Sequence, residues 1–242
     1  LAAGGTLGIL IPPSIVLIIY AIMVEANIAT LFQAAFIPGV LAALGYILAI
    51  AIFVRINPEA GPAGRRADKD EKLEALLDIW PVLLIFLLVM GGIYVGFFTP
   101  TEGAGVGTVG TFLIAITRGG MRAKGMIEAI LGTANTTAMI FLILLGAGIF
   151  NAFLGFSELP ILAAEFFRES GLPSMSILLV MVLLYILLGF VMDSLSMILL
   201  TVPIFWPIIA GLDFGLGADD LKLWFGIITL IVVEVGLITP PV

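Results

Sequence analysis

The chain has 242 residues, of which 62% are hydrophobic and only 11% charged, and its mean hydropathy is +1.27. Soluble domains carry about a quarter charged residues, so water is excluded as the solvent and an integral membrane protein is expected. A net charge of −7 with no dense basic run excludes nucleic acid as a partner, and the absence of Cys and His excludes thiol chemistry, disulfides, Cys/His zinc sites and histidine acid–base catalysis within this stretch.

A crossing of the hydrocarbon core, roughly 30 Å thick, takes about 20 apolar residues. The first apolar segment, residues 1–24, is broken at Pro12-Pro13, which leaves a half-helix from 14 to 24. A transmembrane helix follows over 28–54. Residues 57–78 form a charged connector around Pro58 and Pro62, whose far half is expected to lie as an interfacial helix on the cytoplasmic face. Further spans are expected over 79–98, 103–117 (short and Gly-rich) and 129–156, with a short amphipathic helix over 160–169. Two apolar arms, 175–192 and 195–210, are separated only by Asp193 and Ser194, a spacing equally open to a re-entrant hairpin or two full crossings. The last segment, 223–242, is broken at Pro240-Pro241. The chain opens inside one apolar Gly-rich run and closes inside another motif, so it is read as an internal stretch of a longer polypeptide.

Basic residues give the sidedness. Arg55, Arg65, Arg66, Lys69 and Lys72 share one loop, and Arg118, Arg122 and Lys124 another; two crossings lie between them, so both loops are expected on the cytoplasmic side. The acidic loops 157–174 and 211–222 then share the outer side.

The two breaks match. Gly8-Ile9-Leu10-Ile11-Pro12-Pro13 and Gly236-Leu237-Ile238-Thr239-Pro240-Pro241 each interrupt an apolar segment, and the expected topology approaches them from opposite faces. Matched breaks in opposite orientation are the mark of an inverted-topology repeat. Two prolines in succession force a helix open, and open backbone at bilayer depth is tolerated only where it lines a cavity or binds something. The carbonyl-rich end before each break suits a cation, and the N-terminal end after it suits an anion.

The stretches GGTLGILIPPS, GGIYVGFFTPTEGAGVG, MDSLSMILLTVPIFWPI and WFGIITLIVVEVGLITPPV resemble the large membrane subunit of TRAP (tripartite ATP-independent periplasmic) transporters, over essentially the whole chain and in the same order. The resemblance implies an all-α polytopic membrane protein. It would be an elevator-type secondary transporter of two inverted repeats, driven by a sodium gradient. It also implies that 175–210 is a re-entrant hairpin. On this reading residues 1–56 end the first repeat, 57–78 connect, and 79–242 belong to the second. A periplasmic substrate-binding protein and a small membrane subunit would complete the system in a bacterial or archaeal cytoplasmic (inner) membrane. No cofactor is expected beyond sodium as the coupling ion.

The intramembrane polar residues are then weighed one by one. Sodium takes oxygen ligands, which the Thr239 hydroxyl and the Gly236 carbonyl would supply. In the other repeat the Gly8 and Ile11 carbonyls, with Thr6 and Ser14 nearby, are the counterparts; Ile11 stands where the second motif has Thr239. Asp193 serves either as a helix cap or as an ion ligand, and both roles can coexist. Ser194 and Ser196 lie beside it near the substrate, and as plain caps they would need no function. Glu234, in an otherwise uncharged run, is either functional near the substrate or makes a structural hydrogen bond to a helix of the opposite repeat. Glu102, by contrast, reads as the end of a capping box Thr99-Pro100-Thr101-Glu102, and Gly103, Gly105, Gly107 and Gly110 as a packing face.

These features point to a sodium-coupled importer of small organic anions, of C4-dicarboxylate or sialic-acid type, in the lipid bilayer. The alternative is a related sodium- or proton-coupled anion transporter working without a binding protein. An intramembrane enzyme is disfavoured, since no His and no pair of midplane aspartates is present.

Overall fold

The computed structural model describes residues 2–61, 64–65 and 68–238, with backbone alone at 2–4 and 6. All regular structure among them is helical, and the chain divides into two compact units, one of residues 1–39 with 133–242 and one of residues 40–132.

In the first unit, α1 (Ala2–Leu10) stops where Pro12 and Pro13 remove the next two amide donors. Ser14 is extended, and its side chain accepts from the Leu17 amide at 3.4 Å, starting α2 (Ile15–Met23). The half-helix predicted over 14–24 is therefore present. From α3 (Ile28–Ile56) this unit takes the N-terminal part, where Gly39 lies against the break: a Cβ there would come within 3.2 Å of Ile11 Cγ1. From α6 (Ala123–Phe156) it takes the larger C-terminal part. The amphipathic α7 (Leu159–Glu169) packs along α9 (Ser194–Ala210), which forms a helical hairpin with α8 (Ser174–Gly189). Helix α10 (Ala218–Ile238) touches α8, α9, α2 and α1, so it is the axis of this unit. Leu17, Tyr20, Ile177, Met197, Phe225 and Leu230 are buried around it.

The second unit holds α4 (Lys69–Val95) and α5 (Pro100–Thr117). The turn between them needs Gly96, whose φ of 85° favours glycine. Thr99 and Glu102 then form the predicted capping box, with the Glu102 carboxylate accepting from the Thr99 amide at 2.8 Å. The glycines of α5 admit α4 closely, since a Cβ on Gly103 would lie 2.9 Å from Ile93 Cδ1 and one on Gly107 3.3 Å from Val89 Cγ2. The Arg118 guanidinium sits 5.3 Å over the Trp80 ring.

Three helices start five or more residues earlier than their apolar stretches, α10 among them at Ala218 where 223 is expected. The span expected from 79 belongs to a helix that begins at Lys69, and the one expected from 129 begins at Ala123. In α4 the physical reason is local: Asp68 and Glu71 make a capping box, and no helix breaker stands between it and Pro81. Hydropathy marks where lipid begins, which is not where the helix begins.

Helices α3, α4, α6 and α10 are long and apolar enough to cross a membrane. Their outer surfaces carry large exposed apolar side chains such as Ile47 and Leu48 on α3, Leu87 on α4 and Phe141 on α6, as lipid contact requires. Arms α8 and α9, at 16 and 17 residues, are shorter.

Candidate functional site: the hairpin tip and the end of α10

Backbone chemistry defines the site first. In a regular helix the carbonyl of residue i accepts from the amide of i+4. Four residues after Gly8 stands Pro12, and four after Gly236 stands Pro240, neither of which has an N–H. Ile9 and Leu237 face Pro13 and Pro241 in the same way. The Gly-x-x-x-Pro-Pro motif thus strips the helical donor from two successive carbonyls at the first break; the second expected break, Pro240-Pro241, lies outside the described residues, and there the same loss follows from the sequence alone. The last regular bond at the first break runs from the Ile11 amide to Leu7 O at 3.0 Å, one residue short of Gly8.

Tertiary packing brings the end of α10 to the hairpin tip. Gly236 is buried against Gly189, the last residue of α8: a Cβ on Gly189 would lie 2.7 Å from Gly236 Cα, and one on Gly236 would lie 3.2 Å from Gly189 Cα and from the Tyr185 carbonyl oxygen. Only two glycines allow backbones this close. One turn of chain further, Asp193 is extended and caps α9, its Oδ2 accepting from the amides of Leu195 and Ser196 at 3.1 Å each. Ser194, buried in the first turn of α9, donates to Glu234 Oε1 of α10 at 2.8 Å. Within the hairpin, the hydroxyls of Thr201 and Tyr185 share a hydrogen bond of 2.9 Å, Thr201 donates to Met197 O at 2.7 Å, and the Tyr185 and Phe205 rings meet edge to face at 5.1 Å.

Of the residues singled out in the sequence, the structure therefore gathers Asp193, Ser194, Glu234 and Gly236 at one junction. Ser196 is half-buried beside the Asp193 cap. Ser14 caps α2, while Gly8 is exposed near the end of α1 and Ile11 half-buried at the break. Thr239 lies outside the described residues. The capping reading of Asp193 holds; Glu234 is hydrogen-bonded to another helix, but to Ser194 on a hairpin arm of the same expected repeat and not across to the opposite one.

Sequence reasoning missed three groups. Gly189 is a lone glycine at the end of an apolar arm, with no motif to flag it. Tyr20 of α2 packs on Gly226 of α10, and its hydroxyl donates to Lys222 O at 2.8 Å. The Lys222 ammonium in turn donates to Glu25 O at 3.2 Å, so the C-terminal end of α2 and the start of α10 are tied reciprocally. A Tyr inside an apolar half-helix is the one signal that could have drawn attention to this pair.

The whole chain, residues 1–242, matches the family described as "Tripartite ATP-independent periplasmic transporter, DctM component". The chain belongs to this family. It is similar to the C4-dicarboxylate TRAP transporter large permease protein DctM of Pseudomonas aeruginosa, 37% identical over 98% of the chain and 54% of that protein. It is also similar to the sialic acid TRAP transporter large permease protein SiaM of Vibrio cholerae, 30% identical over 99% of the chain and 55% of that protein. The isethionate TRAP transporter permease protein DctMQ of Oleidesulfovibrio alaskensis is 28% identical over the full chain and 37% of its own length. The chain spans about half the length of the large permeases it matches. Family membership makes this stretch part of a transporter permease, not an enzyme, and its long apolar helices are those of a membrane protein.

Proposed function

We propose that this chain forms part of the permease of a sodium-coupled importer of small organic acids, of the C4-dicarboxylate or sialic-acid class that the named relatives carry. The observation that carries the reading is the matched loss of helical donors at Gly8 and Gly236, with the second of these sites packed against a hairpin tip bearing Asp193 and Ser194. Donorless carbonyls, hydroxyls and carboxylates are hard-cation ligands, so the residues fit sodium. Gly236, Thr239 and Asp193 would hold one ion, and Gly8, Ile11 and Ser14 another. Bound sodium would supply positive charge next to an anionic substrate in membrane segments that hold no basic side chain of their own near the breaks. Ser194, Ser196 and Glu234 lie beside that substrate. The Asp193 carboxylate already holds two amides, so its contribution to an ion is one remaining oxygen at the head of α9.

In this proposal the two breaks belong to inverted repeats, 1–56 and 79–242 joined by 57–78, and the α8–α9 pair is a re-entrant hairpin. Arms of about 24–26 Å support that reading, being shorter than a crossing. Substrate moves by an elevator displacement in a bacterial inner membrane, delivered by a periplasmic binding protein and assisted by a small membrane subunit.

The test is uptake of labelled C4-dicarboxylates and sialic acid by the full-length complex in proteoliposomes, with and without a sodium gradient. Asp193→Asn and Thr239→Ala are each expected to weaken the sodium dependence; unchanged dependence in both refutes the ion-site assignment. Uptake that proceeds without any binding protein favours the alternative, a related transporter working alone.

A further inference from the structure

The hairpin is fastened to α10 at two places close to its tip. Gly189 of α8 lies against Gly236, and Ser194 of α9 is bonded to Glu234. Between them the tip itself projects, with Val191 86% exposed. Asp193 is engaged with the amides of its own helix and ties the tip to nothing else among the described residues. Glu234 is only 5% exposed, and its Oε2 has no hydrogen-bond partner among the described residues, so Ser194 is the group that holds this carboxyl there.

Glu234 is two residues before Gly236 in one continuous helix, about 3 Å along its axis. Any movement of the last turn of α10 therefore carries the Glu234 carboxyl with it, and the carboxyl carries Ser194. The arms themselves are cross-linked deeper in the hairpin by Thr201 and Tyr185, which leaves the tip as the part free to respond.

We propose that Glu234 is a positioning residue: by accepting from Ser194 it latches the hairpin tip onto α10, so that the state of the Gly236 backbone sets the position of the tip. The sodium aspect of this latch rests on the coupling-ion reading above; the latch itself does not. A hydrogen-bond acceptor, not a charge, is what the latch requires, so an amide at position 234 serves as well as a carboxyl.

The experiment uses the full-length complex in proteoliposomes, with Met197→Cys, fully buried in the first turn of α9 three residues after Ser194, as the reporter. This stretch has no native cysteine, and any elsewhere is replaced. Maleimide labelling of the reporter is timed in sodium and in choline buffer, alongside substrate uptake. In choline, Ser194→Ala and Glu234→Ala are expected to label about three- to ten-fold faster than the parent, the factor that loss of one hydrogen bond gives an opening equilibrium. Glu234→Gln is expected to label at the parent rate. In sodium the parent and Glu234→Gln change their labelling rate, and the two alanine variants do not. The latch is overturned if Ser194→Ala labels like the parent, or if Glu234→Gln behaves like Glu234→Ala. Sodium-independent uptake by the parent refutes the coupling-ion reading alone, and the choline rates then decide the latch.

Discussion

Gly189→Ala is the sharpest structural test of the site. The new Cβ would lie 2.7 Å from Gly236 Cα and from Gly236 C, and 3.1 Å from its carbonyl oxygen. All three are backbone atoms on a helix, so no side chain can swing aside. Reaching ordinary contact at 3.4 Å requires α8 and α10 to separate locally by about 0.7 Å. Overpacking of this kind costs about 1–3 kcal/mol. The same separation stretches the Ser194–Glu234 bond from 2.8 Å towards the limit of hydrogen bonding, at a further cost of about 0.5–1.5 kcal/mol. The expected destabilisation is therefore about 2–4 kcal/mol. Gly236→Ala is expected to cost less, because its nearest atoms lie at 3.2 Å. Gly146→Ala, where nothing lies within 4 Å, is expected to be neutral or slightly stabilising. Thermal unfolding of the purified full-length variants, followed by loss of the monodisperse peak on size-exclusion chromatography, gives the ranking. A Gly189→Ala protein as stable as Gly146→Ala, or more stable than Gly236→Ala, refutes the close backbone approach.

Other variants read out neighbouring contacts in the same unfolding assay. Thr201→Val removes the hydroxyl shared with Tyr185 and is expected to cost about 1 kcal/mol. A Thr201→Val protein as stable as the parent refutes that contribution. Ser14→Ala is expected to cost about 1 kcal/mol through loss of the α2 cap, and Ser14→Gly only a few tenths. Tyr20→Phe is expected to cost about 0.5–1.5 kcal/mol by leaving Lys222 O without its donor, with the Tyr20–Phe225 ring contact kept.

Composition alone settled that this chain lives in lipid, and local chemistry settled where its helices break. Pro12 and Pro13 end α1 whatever surrounds them, because proline has no amide to donate. Asp193 and Thr99 cap the helices that follow them for equally local reasons, so both were legible from position alone, whereas Ser14, read only as an ion-ligand candidate, caps α2 in the same way. The glycines of α5 were legible as a packing face because an apolar helix uses small residues for nothing else in such density. Helix starts were less legible: α4 and α6 run back beyond their apolar stretches, in α4 because a capped polar turn is as helical as an apolar one.

What the tertiary structure decided is which of these local features meet. Nothing in the spacing of Gly189 and Gly236, 47 residues apart, announces that their backbones touch, and nothing near Glu234 names Ser194 as its partner. Each is an ordinary residue in its own helix. Their importance arises from the register in which α8 and α9 lie on α10, and register between helices is set by the summed packing of whole faces. The sequence by itself therefore determined the solvent, the breaks and the caps, all of which depend on neighbours within about four residues. Only the fold could decide that Gly236, the Asp193 cap and the buried Glu234 carboxyl meet at one junction.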